Sequence, residues 1–70
     1  SLVSNNYGDV VMCKLGSTNR RTIKLRDICK SNDTYEYSDL KYIQYTDSVY
    51  LFVTQKNMIL YDLKNDKVLD

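Results

Sequence analysis

Residues 49–69, VYLFVTQKNMILYDLKNDKVL, decide the fold. A β-branched and aromatic run reaches Thr54, the polar triplet Gln55-Lys56-Asn57 interrupts it, and a second apolar run follows from Met58 to Leu63. Lys64-Asn65-Asp66-Lys67 then makes a further turn before Val68-Leu69. Apolar runs this short, rich in Val, Ile, Tyr and Phe and bounded by turn formers, read as strands joined in hairpins. Residues 2–15, LVSNNYGDVVMCKL, have the same form, with Asn5-Asn6-Tyr7-Gly8-Asp9 supplying the turn and 10–15 the firmer strand. A one-sheet reading makes these two hairpins the halves of one small sheet.

Between them, Gly16-Ser17-Thr18-Asn19-Arg20 is another turn signal, and residues 21–26 (RTIKLR) alternate polar and apolar with the period of a strand. From 27 to 37 that period fades into a polar loop, preceded at most by one helical turn. Leu40, Tyr42 and Gln44 then face one way and Lys41, Ile43 and Tyr45 the other, as in a strand covered on both sides, and Thr46-Asp47-Ser48 closes it. The fold class expected is mainly β: a small antiparallel meander or barrel of five to six short strands. An α+β alternative places a short helix near residues 22–31. The expected core is Val10, Met12, Ile23, Leu25, Ile43, Val49, Leu51, Val53, Met58, Leu60 and Leu63.

Seventy residues suit a single small domain, 1–70, which buries only about 60% of the surface its unfolded chain exposes. The stop directly after a strand, at Val68-Leu69-Asp70, points to a domain excised from a larger protein. Hydrophobic residues at 43% and charged ones at 27% are globular proportions. Proline, histidine and tryptophan are absent, Asp outnumbers Glu eight to one, and Tyr outnumbers Phe seven to one. That skew is typical of AU-rich genes and suggests a viral, parasite or low-GC bacterial source. No apolar run is long enough to span a bilayer and no signal peptide opens the chain, so no membrane insertion and an intracellular, cytoplasmic setting are expected.

Chemistry is sparse. No histidine is present to act as general base, and no nucleophile elbow, phosphate loop or paired-carboxylate motif occurs. Cys13 and Cys29 lack the spacing and partners of a zinc site. They are expected to be buried, reduced thiols, Cys13 among Val11, Met12 and Leu15, and Cys29 beside Arg26 and Lys30. Asn32-Asp33-Thr34 forms a glycosylation sequon, a triplet that chance supplies readily in an Asn-rich chain. The expected protein is therefore not an enzyme and holds no metal or cofactor.

Two residue sets remain as binding candidates. Tyr35, Tyr37, Tyr42, Tyr45 and Tyr50 crowd into one stretch, and rigid amphipathic rings at that density suit a protein-recognition surface. The plainer reading makes them half-wet sheet residues standing in for phenylalanine. Arg20, Arg21, Lys24 and Arg26 form a basic cluster, with Lys24 and Arg26 on one strand face, that beside tyrosines would suit single-stranded RNA or DNA. Against it stands a net charge of only +1. Open strand edges offer a third route, pairing with another chain or with a second copy.

Residues 49–69 resemble the inner strands of a β-propeller blade, and the first hairpin returns their pattern about 48 residues earlier, near a propeller's period. The characteristic Gly-His and Trp-Asp pairs are missing, and a single blade with a fraction of another does not bury its own faces. Residues 21–63 resemble, more loosely, the strand pattern of LytTR-type DNA-binding domains. Neither resemblance carries a motif that transfers residue by residue. The expected function is a protein-interaction domain of a larger protein, partnered by another protein or by further domains of its own chain; the alternative is a nucleic-acid-binding module.

Overall fold

The computed structural model describes residues 2–5, 7–13 and 20–70. The described residues are mainly β: a three-stranded and a four-stranded antiparallel sheet, with one short helix. It divides into two compact units, Ser1–Ser38 and Asp39–Asp70.

In the first unit, β1 (Leu2–Ser4), β2 (Asp9–Cys13) and β3 (Arg20–Lys24) lie in the order β1-β2-β3. Asn5 makes the first turn. Its Oδ1 accepts the backbone N–H of Tyr7 at 2.9 Å and of Asp9 at 3.0 Å, a side-chain substitute for a backbone turn. Gly8, at φ +84°, accepts the N–H of Leu25 at 2.8 Å, which carries the β2–β3 register one pair further, to the first residue of α1 (Leu25–Cys29). The helix stops after five residues because Lys30 adopts the left-handed conformation, φ 55° and ψ 40°. Two linked turns follow: Asp33 Oδ1 accepts the N–H of Tyr35, and the carbonyls of Asp33 and Thr34 accept the N–H groups of Glu36 and Tyr37. Among the described residues of this unit, Val10, Ile23, Leu25 and Tyr37 are the buried apolar side chains. The Tyr37 hydroxyl donates to the Ser31 carbonyl at 2.6 Å, so its burial leaves no unpaired polar atom.

In the second unit, β4 (Lys41–Gln44), β5 (Val49–Val53), β6 (Met58–Asp62) and β7 (Lys67–Val68) form a meander in chain order. Each turn is again closed by a side-chain oxygen. Thr46 Oγ1 accepts the N–H groups of Ser48 and Val49, Thr54 Oγ1 those of Lys56 and Asn57, and Asp62 Oδ1 those of Lys64 and Asn65. Tyr50, Phe52, Ile59, Tyr61 and Leu63 are buried. Full burial of side chains this size stabilises by about 1.5–3 kcal/mol each.

Several expectations need correction. The two hairpins of the one-sheet reading lie in different sheets, because the chain between them leaves the ladder for α1 and the linked turns. Of the meander or barrel expected, the antiparallel meander is present and no barrel closes among the described residues, which hold seven strands in place of five to six. The short helix allowed near residues 22–31 is present as Leu25–Cys29, with β3 taking the residues before it. The turn at 16–20 and the strand end at 14–15 fall, Arg20 apart, outside the described residues. Of the expected core, Val10, Ile23, Leu25 and Leu63 are buried; Met12, Val49, Leu51, Val53 and Leu60 are half-buried, and Ile43 and Met58 are exposed. The second sheet buries its other phase, the aromatic one. Its ring area is larger, and the Tyr61 hydroxyl keeps a partner by donating to the Asp66 carboxylate.

Gly8 gives a direct test of the first unit. A Cβ there would lie 3.1 Å from the Arg26 nitrogen and from the Tyr37 ring, at a φ that side chains rarely adopt. Gly8→Ala is expected to cost about 1–3 kcal/mol, read as a lower urea midpoint at unchanged slope.

Candidate protein-interaction surface

All four residues of strand β4 are exposed, so both of its faces are open. Its pairing runs Lys41↔Val53, Tyr42↔Phe52, Ile43↔Leu51 and Gln44↔Tyr50. Tyr45 continues the ladder, donating its N–H to the Val49 carbonyl at 2.8 Å. In an antiparallel pair the bonded residues alternate, so Lys41, Ile43 and Tyr45 turn their N–H and C=O groups toward β5. Tyr42 and Gln44 therefore turn theirs outward. As β4 ends the sheet order, no strand among the described residues meets that edge.

The two faces differ. On one, Tyr42 packs against Tyr50 with ring centroids 6.0 Å apart and tilted by 48°, and Tyr50 stacks on Phe52 at 6.1 Å and 13°. On the other, register places Ile43, Leu51 and Leu60 in one row across β4, β5 and β6, and Lys41, Val53 and Met58 in the next. Leu51 and Leu60 are half-buried while Ile43 is 54% exposed, so the apolar row runs out to the open edge. Lys41 Nζ lies 3.8 Å from Asp39 Oδ2, both exposed, an ion pair of little energetic weight. Other sheet ends are guarded differently. β3 carries Arg20, Arg21 and Lys24, β7 is two residues long with Lys67, and β1 has three residues.

The tyrosines expected to recognise a partner separate into two groups. Tyr35, Tyr42 and Tyr45 are exposed; Tyr37 and Tyr50 are buried, and their rings are core. Tyr42 and Tyr45 stand on or beside β4, while Tyr35 belongs to the linked turns of the first unit. The expectation that β4 is covered on both sides is also corrected: apolar residues on both faces here mark an edge.

The basic set does not share one face. Arg20 and Lys24 lie on one side of β3 with Thr22, and Arg21 on the other with Ile23. Arg26 sits in α1, not on the strand, and bonds Asp9 Oδ1 at 2.8 Å. It also reaches the Tyr7 carbonyl at 3.4 Å.

Cys13 and Cys29 are half-buried, not buried as expected, and form no disulfide. Burial, then the neighbouring Glu36 carboxylate, pushes the Cys29 thiol up, the direction opposite to that of a nucleophile. Burial likewise raises Tyr37, with Cys29 and Glu36 adding to it. Among the described residues no group of three or more His, Cys, Asp or Glu could hold a metal ion, and no helix is long and apolar enough to cross a membrane.

No family model, curated protein or solved structure matches the chain. The site is therefore read from its own geometry.

Two turn carboxylates beside these sheets make stability depend on pH. The Asn65 side-chain amide, then the N–H groups of Asn65 and Lys64, hold the Asp62 carboxyl below its ordinary value against the opposing effect of burial. Asp9 is held low chiefly by the Asn5 amide, with Arg26 assisting. A folded value below the unfolded one, about 3.9, gives stability that is complete above the unfolded value and lost as pH falls through the folded one. Urea midpoints should thus hold near neutrality and drop below about pH 4, and Asp62→Asn should flatten that drop.

Proposed function

We propose that this chain is a non-enzymatic protein-interaction module whose β4 edge accepts an extended segment of another polypeptide as an added strand. The observation that carries this reading is the open edge itself: outward-turned N–H and C=O groups at Tyr42 and Gln44, beside exposed Tyr42, Ile43 and Tyr45. Strand addition draws affinity from main-chain hydrogen bonds and specificity from alternate side chains. Here an incoming strand would extend the Ile43–Leu51–Leu60 row on one face and the Tyr42–Tyr50–Phe52 aromatics on the other. Tyrosine suits such a place, since its ring adds contact area at low entropic cost while its hydroxyl stays wet. A raised Cys29 thiol and the lack of any histidine support a binding role over a catalytic one.

Panning a display library of short random peptides on the protein tests this reading. Enriched peptides should bind the wild type and lose at least about tenfold in affinity on Gln44→Pro, which removes an outward N–H and spares the ladder to β5. Ile43→Lys, a side-chain change at the same edge, should weaken them as well. Enriched peptides indifferent to both variants, or no enrichment at all, would contradict the proposal.

A further inference from the structure

The β4 edge is complementary to itself, and we infer that the strand it accepts is β4 of a second copy of this chain. The inference rests on the strand-addition reading and names its partner. Outward backbone groups belong to Tyr42 and Gln44, which flank Ile43 symmetrically. A two-fold axis through Ile43 therefore sets Tyr42 of each copy opposite Gln44 of the other, and all the outward N–H and C=O groups of both residues are matched. Shifting the two-fold by one residue in either direction leaves part of the set unmatched. Toward the C-terminus it also meets Thr46, whose N–H is already directed to the Val49 carbonyl at 3.3 Å.

Side chains agree with this register. Ile43 meets Ile43 of the second copy in a pair without hydrogen bonds, the position where facing side chains come closest. The half-exposed row Leu60–Leu51–Ile43 then continues into the same row of the other copy, across one eight-stranded sheet. Charge fits too. Lys41 is the only charged residue of β4, and this pairing sets it opposite Tyr45 of the second copy rather than against another lysine. The interface is isologous, so one sequence suffices to build it.

Sedimentation equilibrium on the full chain provides the test. The wild type should show a monomer–dimer equilibrium within concentrations up to about 1 mM. Ile43→Lys and Ile43→Asp each set like charges directly opposite one another across the two-fold, and each should weaken dimerisation at least about tenfold. An equimolar mixture of the two should recover a heterodimer, because lysine then faces aspartate. Gln44→Pro should weaken the dimer by the backbone route. A monomeric wild type that still binds selected peptides in a Gln44-dependent way would overturn the two-fold and leave strand addition standing. Monomer with no such peptides would overturn both. A dimer whose single variants dimerise unchanged, or whose mixture shows no recovery, would place the contact elsewhere and overturn the inference.

Discussion

Side-chain oxygens that close turns govern this molecule. Asn5, Thr46, Thr54 and Asp62 each accept two backbone N–H groups within a few residues of themselves, one at every described hairpin turn. The chain has no proline and only two glycines, so the usual devices for reversing a strand are scarce. Asp, Asn and Thr take over that work by offering the backbone an acceptor. What they fix is register. Because side chains alternate with period two, a turn that slipped by one residue would exchange the faces of every strand beyond it. The burial of Phe52 and Tyr61, the half-exposure of Leu51 and Leu60 and the outward edge of β4 all follow from where these turns close.

The strands and turns were legible in the sequence because their causes are local. Period-two runs and clusters of Asn, Asp, Thr and Lys are visible one residue at a time. The buried phase of β5 and β6 was not legible, since Val49, Leu51 and Val53 are as apolar as Tyr50 and Phe52, and alternation alone does not rank the two faces. Choice between them depends on partners outside the strands themselves, such as the Asp66 carboxylate that receives the Tyr61 hydroxyl. The helix start has the same character. The β2–β3 ladder ends at Leu25, whose N–H meets the Gly8 carbonyl, a partner that no window around residue 25 contains.

The candidate surface was half legible for a related reason. A dense run of tyrosines marked the right region, but density does not say which rings point inward; Tyr37 and Tyr50 turned out to be core, and Tyr42 and Tyr45 to flank an edge. Strand order decides what is an edge, and periodicity carries no information about order. The apolar residues on both faces of β4 read as double coverage when they border an unpaired ladder. Likewise the basic cluster, contiguous in sequence, is divided by the strand alternation of Arg20, Arg21 and Lys24 and by the ion pair of Arg26 with Asp9.

Amide hydrogen exchange on dilute protein tests the central claim, that the turns set a register leaving the outer ladder of β4 unpaired. The N–H groups of Ile43 and Tyr45 should be protected by their bonds to β5, while those of Tyr42 and Gln44 exchange at rates near those of an open chain. Protection at Tyr42 and Gln44 with rapid exchange at Ile43 and Tyr45 would mean a ladder shifted by one residue. That result would contradict the register, the edge and the surface built on them.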